Sequence, residues 1–299
     1  MKPILSRRKF LKGAALSGAA VVVPSATVYA ASSVAQKPFE FNNNPLKLGL
    51  MSYTMARDWD IDTIIANLTE AGYGSIELRT THAHGVEVTL SPRERTEVKK
   101  KFEDSPLEEI SLASAFSYHY TDQNQLKESI EGTKEYILLA RDVGAVGIRV
   151  FPNELPDGVP VERTMEQIGK SLAEVGEFGY NHGVEIRVCN HGRETNRIPV
   201  IKKIFDYSDS SHVYLNWNCD LTDVEGEGFE DNFNLVKDRI RALHLHEMWD
   251  ERYPYRKLFS LLSGIGFQGY CNAEISGNPE PVRFLRYYRA LFLALQNGL

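Results

Sequence analysis

From residue 46 onward, two hydrophobic rhythms take turns along the chain. Short apolar runs, the pattern of buried strands, alternate with longer stretches whose apolar residues recur every third or fourth position, the pattern of helices. "LKLGLMSYT" (46–54) reads as a strand, and 61–72 as a helix with Ile61, Ile64, Ile65 and Leu68 on one stripe and Gly72 as its stop. "GSIELRT" is a second strand, and "SPRERTEVKKKFED" a helix with Ser91 as N-cap and Pro92 in the first turn. "ISLASAFS" is a third strand, followed by a long helix from Asn124 to Val143 that Gly144 ends. "VGIRVF" is the fourth strand, with its helix at 163–183, and "GVEIRVCNHG" is the fifth. A helix around Ile198–Phe205, the strand "HVYLNWN", the helix "FEDNFNLVKDR" and the strand "IRALHLHE" come next. The helix "YRKLFSLLSGIG", the strand "GYCNAEIS" and a last helix from Glu280 to Gln296 complete the series.

Eight strands alternating with eight helices over roughly 250 residues fit an α/β fold, the (β/α)8 TIM barrel, as a single domain over 46–299. A doubly wound open sheet would usually show a glycine-rich phosphate turn after an early strand, and no G-x-G-x-x-G follows the first one. The last helix, with Phe284, Leu285, Leu291, Phe292 and Leu295, is read as closing the barrel; no pattern indicates an oligomeric state.

In a parallel barrel one strand parity faces the lumen and the other packs on the helices. The fifth strand puts Val184, Ile186 and Val188 on one parity and Glu185, Arg187, Cys189 and His191 on the other. The sixth puts Tyr214, Asn216 and Asn218 together, the seventh Ala242, His244 and His246, the eighth Asn272, Glu274 and Ser276. Four successive strands therefore send polar groups inward near their C-terminal ends, where barrel enzymes keep their active sites. A single inward histidine would read as part of a hydrogen-bonded polar lumen. His191, Asn218, His244 and Glu274 together read as a divalent-metal site, with nitrogen and oxygen donors suited to Mn, Co, Mg, Fe or Zn. The first half of the barrel supplies a substrate-binding set of Tyr53, Arg79, His84, His119 and Arg149, to which Trp249 is added. Such groups bracket the hydroxyls of polyhydroxylated ligands. For Arg79 and Arg149 the alternative is a buried ion pair with Glu77 or Glu185.

Composition adds limits. The 299 residues are 42% hydrophobic, enough for a large core. A formal charge of −6 argues against a nucleic-acid partner, because phosphate contacts need a basic surface. Three cysteines, Cys189, Cys219 and Cys271, are too few for a disulfide framework, although Cys189 and Cys219 end adjacent strands and a bridge between them is one alternative. The first 30 residues have a basic start, an apolar stretch of small residues and a Val28-Tyr29-Ala30 ending, the layout of a cleaved signal peptide. Ser17, Gly18 and Pro24 break that stretch, so no stable membrane anchor is expected. "SRRKFLK" (6–12) resembles the twin-arginine export signal, which implies export to the periplasm and a linker over 31–45. Cleavage removes five of the 34 basic side chains and none of the 40 acidic ones, leaving −11.

"GSIELRTTHAHG", "ARDVGAVGIRVF", "GVEIRVCNHG", "RIRALHLHE" and "YPYRKLFSLLSGIGFQGYCNAEISG", in this order, resemble the sugar phosphate isomerase/epimerase family with its xylose-isomerase-like barrel. That group includes ketose 3-epimerases, inosose dehydratases and endonuclease IV. The resemblance implies a metal held by Glu, Asp, His and Glu on the last four strands. His244 and Glu274 match the last two positions, whereas Cys189 and Asn218 stand where the family has Glu and Asp. Two site models follow: His191 replaces the lost carboxylate beside Asn218, His244 and Glu274, or the Cys189 thiolate does. With one carboxylate left, a two-carboxylate epimerase is disfavoured. Proton transfer next to a carbonyl of a sugar or keto-sugar remains, by isomerisation, or as a lyase or hydratase on 3-keto-glycosides or their elimination products. Glu274 would be the base, and His191, His246 or His119 the acid. A sugar-binding barrel with a degenerate site is the reading from a different class, and an endonuclease is opposed by the acidic charge.

Overall fold

The computed structural model describes residues 45–296, so the signal peptide read over 1–30 and nearly all of the linker lie outside the described residues. Eight parallel strands close into a barrel: β1 (Lys47–Met51), β2 (Ser75–Arg79), β3 (Glu109–Ser117), β4 (Gly147–Phe151), β6 (Glu185–Cys189), β8 (Val213–Trp217), β9 (Ile240–Leu245) and β10 (Tyr270–Ala273). Two short pieces above the barrel, β5 (Asn153–Glu154) and β7 (Gly192–Arg193), pair with each other. The helices are α1 (Ile61–Ala71), α2 (Pro92–Glu103), α3 (Gln123–Val143), α4 (Val161–Asn181), α5 (Ile198–Ser208), α6 (Phe229–Val236), α7 (Tyr255–Gly264) and α8 (Pro281–Gln296). This is the (β/α)8 architecture that the alternation predicts. No described helix is long and apolar enough to cross a membrane.

Local chemistry sets the helix ends. The Ser91 hydroxyl accepts from Glu94 N while the Glu94 carboxylate accepts from Ser91 N, a capping box that starts α2. Asp122 caps α3, and Gly144, at φ 80°, ends it. Leu50, Ile76, Leu112, Ile148, Ile186, Val188, Leu215, Leu243 and Leu245 are fully buried or nearly so and belong to the core between strands and helices. Each such side chain contributes roughly 1.5–3 kcal/mol of burial.

The lumen carries polar and charged groups from its lower part to its mouth. In its lower part Arg187 is held by Glu185 at 2.8 Å and Glu109 at 3.1 Å. Gly49 fits there because a Cβ would fall 2.1 Å from Asn272 Oδ1. At the C-terminal mouth, β6 ends at Cys189 and the chain turns, His191 N donating to Cys189 O at 2.8 Å. Gly192 then adopts φ 106°, and a Cβ there would fall 1.4 Å from Asn153 O. Only glycine lets β7 lie against β5 at this point. The β5–β7 pairing fixes the turn that carries His191. All three cysteines are buried and free, so the Cys189–Cys219 bridge considered from sequence is not formed.

Candidate active site

At the C-terminal mouth lies a cavity of about 190 Å³, lined by Met51, Tyr53, Arg79, Arg149, Phe151, Cys189, His191, Asn218, His244 and Glu274. Seven of the eleven sequence-derived site positions line it; the other four, His84, His119, His246 and Trp249, are turned elsewhere.

His244 is its centre. The ring is buried on β9, and both nitrogens face carboxylates: Nε2 is 3.0 Å from Glu77 Oε1 and Nδ1 is 3.1 Å from Glu274 Oε2. An imidazole with an acceptor on each nitrogen donates from both, so it carries two protons and a positive charge. The Asn216 amide lies 2.8 Å from Nε2; with its Oδ1, otherwise buried without a partner, turned to this side it accepts from that N–H, and Cys189 Sγ lies 4.0 Å from Nδ1. Burial pushes the His244 pKa down, but Glu77 and then Glu274 more than reverse this and hold it well above its ordinary value. Burial likewise raises Glu77 and Glu274, yet the His244 charge outweighs it, lowering Glu77 and bringing Glu274 to about 2.

Glu77 is fully buried on β2, and its Oε1 is also 3.6 Å from Arg149 Nε. The buried ion pair is thus the arrangement Arg149 takes, while Arg187 takes Glu185 and Glu109. Arg149 lies over the Phe151 ring at 4.0 Å, and Phe151 in turn meets the His191 ring at 5.3 Å. Partial desolvation at the wall, with Arg149 next, lowers the His191 pKa, so this ring is neutral at neutral pH. Arg79 lies over the Tyr53 ring at 5.7 Å. His84 does not face the cavity: Nδ1 accepts from Val86 N at 3.0 Å and Nε2 donates to Arg79 O at 2.7 Å, which positions the Arg79 backbone.

Other expected site residues are placed away. His246 lies past the end of β9, and its ring bonds backbone carbonyls, Asn218 O at 3.0 Å and Glu274 O at 3.4 Å. His119 is buried beside Asn153 at 3.3 Å and borders a separate groove with Tyr120 and Gln167. Trp249 is 70% exposed, donating to Glu247 at 3.0 Å. Glu77 and Asn216, which sequence reasoning did not assign to the centre, were marked only by sharing the inward parity of their strands. Asn190, in the middle of "CNH", binds the β8 end: its Oδ1 accepts from Asn218 N at 2.8 Å.

The metal set read from sequence, His191, Asn218, His244 and Glu274, meets at this cavity. Among the described residues no group of three or more His, Cys, Asp or Glu is arranged to hold an ion. The donors explain why. Of His191, Asn218, His244 and Glu274 only one is a carboxylate, and it is already paired with the nitrogen that would have to bind the ion. Arg149, a fixed cation, lines the same cavity. A divalent ion would meet one negative ligand and a neighbouring guanidinium, so the residues present do not fit it.

A family model described as xylose isomerase-like TIM barrel matches residues 65–288. The chain belongs to this family. No curated protein sequence matches it significantly. Among solved structures, 3-keto-D-glucoside 4-epimerase YcjR from E. coli is 14% identical, with TM-score 0.69, covering 83% of this chain and 99% of that one. L-ribulose 3-epimerase is 16% identical, with TM-score 0.69, covering 83% of this chain and 95% of that one. The probable 3-DHS dehydratase AsbF from Bacillus anthracis is 14% identical, with TM-score 0.63, covering 85% of this chain and all of that one. At these identities the likeness shows the shared xylose isomerase-like fold.

The depressed Glu274 pKa has a definite sign. Its stabilising contribution is present above the unfolded value of 4.5 and is lost as pH falls toward about 2. The urea midpoint is expected to fall across that window, and to fall less steeply in Glu274→Gln. An equal slope in the variant would show that Glu274 is not held ionised in the fold.

Proposed function

We propose that the protein is an exported enzyme that moves a proton next to the carbonyl of a small sugar or keto-sugar, without a divalent metal. One observation carries this reading: Glu274 and the His244 Nδ1–H, 3.1 Å apart, open together onto the cavity. The cavity, about 190 Å³, is below the ~300 Å³ at which drug-sized pockets begin and suits one small polar ligand.

A substrate carbonyl oxygen would take the Nδ1–H in place of Glu274. Losing that partner raises the proton affinity of Glu274, turning a tightly paired carboxylate into a usable base. Glu274 then removes the proton from the carbon beside the carbonyl. The C–H electron pair becomes the C=C bond of an enolate, and the charge on oxygen faces the His244 N–H. Glu77 holds the ring from behind, a positioning role. Return of the proton to the former carbonyl carbon, with the proton of the adjacent hydroxyl passing to the enolate oxygen, completes isomerisation. Departure of a β-oxygen, protonated by the now neutral Glu274, completes elimination, and its reverse is hydration. Neutral His191 serves as an acceptor for a substrate hydroxyl. The neighbours' names, two sugar epimerases and a probable dehydratase, are in keeping with both outcomes. Nothing in the site favours a non-catalytic sugar-binding barrel over this reading, because a binding pocket needs no ionised base beside a charged donor.

The test is proton NMR of ketoses and 3-keto sugars incubated with the protein in deuterated water. Solvent deuterium is expected at the carbon beside the carbonyl, about 10²–10⁴-fold slower in Glu274→Gln and unchanged after chelator treatment. No exchange with any substrate, or full exchange in Glu274→Gln, would contradict the reading. Loss of exchange on chelation would restore a metal. Export rests on the "SRRKFLK" segment alone: replacing Arg7 and Arg8 by lysine is expected to leave the protein in the cytoplasm. An unchanged periplasmic yield would refute that assignment.

A further inference from the structure

Arg149 is 4% exposed, yet its Nε and Nη1 have no hydrogen-bond partner. A buried guanidinium with unused donors is costly, and natural sites keep one where an acceptor arrives with the ligand. The neighbouring carboxylates do not supply that acceptor. Glu77 Oε1 and Glu274 Oε2 are taken up by His244 at 3.0 and 3.1 Å. Glu77 Oε1 faces Arg149 Nε at 3.6 Å, too long for a hydrogen bond, and a closer approach there would occupy Nε alone. Nη1 and Nη2 would still be left for the cavity that Arg149 lines. The Phe151 face, 4.0 Å from the guanidinium, covers one side and fixes its plane. A second cation borders the same cavity: among the described residues no carboxylate lies within 4.0 Å of Arg79, whose Nη1 donates only to Thr80 O and Thr81 Oγ1.

We propose that the cavity takes a carboxylate-bearing substrate, a sugar acid or keto-acid, with its carboxylate on the Arg149 fork and Arg79 closing over it. A planar fork of charged N–H donors matches a carboxylate with two parallel bonds, which a neutral hydroxyl cannot accept. Glu77 and Glu274 set two negative charges against the three positive ones of His244, Arg149 and Arg79, so one positive charge is left at the wall and a monoanion balances it. The inference rests on the proposed active site and assigns its substrate class.

Isothermal titration decides it, with D-glucuronate, D-galacturonate and D-gluconate set against D-glucose, D-galactose and D-glucose 6-phosphate. At least one acid is expected to bind about tenfold or more tightly than its neutral counterpart and the phosphate ester, a gap of roughly 1.4 kcal/mol. That preference is expected to vanish in Arg149→Gln and to shrink in Arg79→Gln, which changes a half-buried residue and keeps the fold if Arg149→Gln does not. Equal or better binding of neutral sugars, preference for the phosphate, no acid bound at millimolar concentration, or the preference kept in Arg79→Gln would each overturn it. Deuterium exchange separates the two claims. Exchange into neutral keto-sugars with acids ignored sinks only the acid inference. Acid binding with no exchange in any substrate sinks the proton-transfer reading and leaves this one standing.

Discussion

The site depends on one imidazole held between two carboxylates. His244 reaches Glu77 on one side and Glu274 on the other, at 3.0 and 3.1 Å, in a buried lumen. The two buried charges, with Glu274 at the cavity wall as the third, are tolerable there only as a set, since a buried charge alone would carry a heavy desolvation cost. The set needs three strands, β2, β9 and the end of β10, placed to within a bond length. A closed barrel provides this, because its parallel strands cannot slide without breaking every neighbouring ladder. Asn216 and Arg149 then fill the flanks, and Arg187 with its two glutamates packs the lumen beneath.

This arrangement explains how the chain departs from the family it belongs to. Against the ligand set that the resemblance implies, Cys189 and Asn218 leave the mouth two carboxylates short, and Arg149 lines it as a fixed cation. A charge balance suited to a dication becomes one suited to an imidazolium. The imidazolium offers a directional N–H where an ion would offer a coordination site, and both stabilise charge developing on a carbonyl oxygen. The fold supplies strand ends that converge, and the chemistry follows from what stands on them.

Much of the fold was legible in the sequence, because strands buried on both sides and helices buried on one leave different periodicities. Ser91 with Pro92, and Gly144, marked helix ends that the structure keeps. Strand parity also brought Cys189, Asn218, His244 and Glu274 to one cavity. Past a strand end parity no longer decides: Asn218 and Glu274, one residue beyond β8 and β10, still line the cavity. His246 lies one residue beyond β9, and its ring turns to the backbone instead of the lumen. His191 lies past β6 in a turn and reaches the mouth by the β5–β7 pairing, not by alternation. Partner choice was the harder part. Glu77 was visible as an inward carboxylate near Arg149, but its bond to His244 spans 167 positions of chain and is set by barrel closure. The poor fit to a metal was hidden for a related reason: residue types at the right positions do not reveal that His244 and Glu274 pair with each other.

The protonation state of His244 tests the account most directly. Nitrogen-15 NMR of the imidazole ring, assigned with a His244→Gln variant, reads each ring nitrogen separately. The account requires both nitrogens of His244 to carry protons at neutral pH and to keep them well above the range in which exposed histidines titrate. A neutral ring with one bare nitrogen at neutral pH, or a nitrogen signal that shifts on adding a divalent ion, would contradict it.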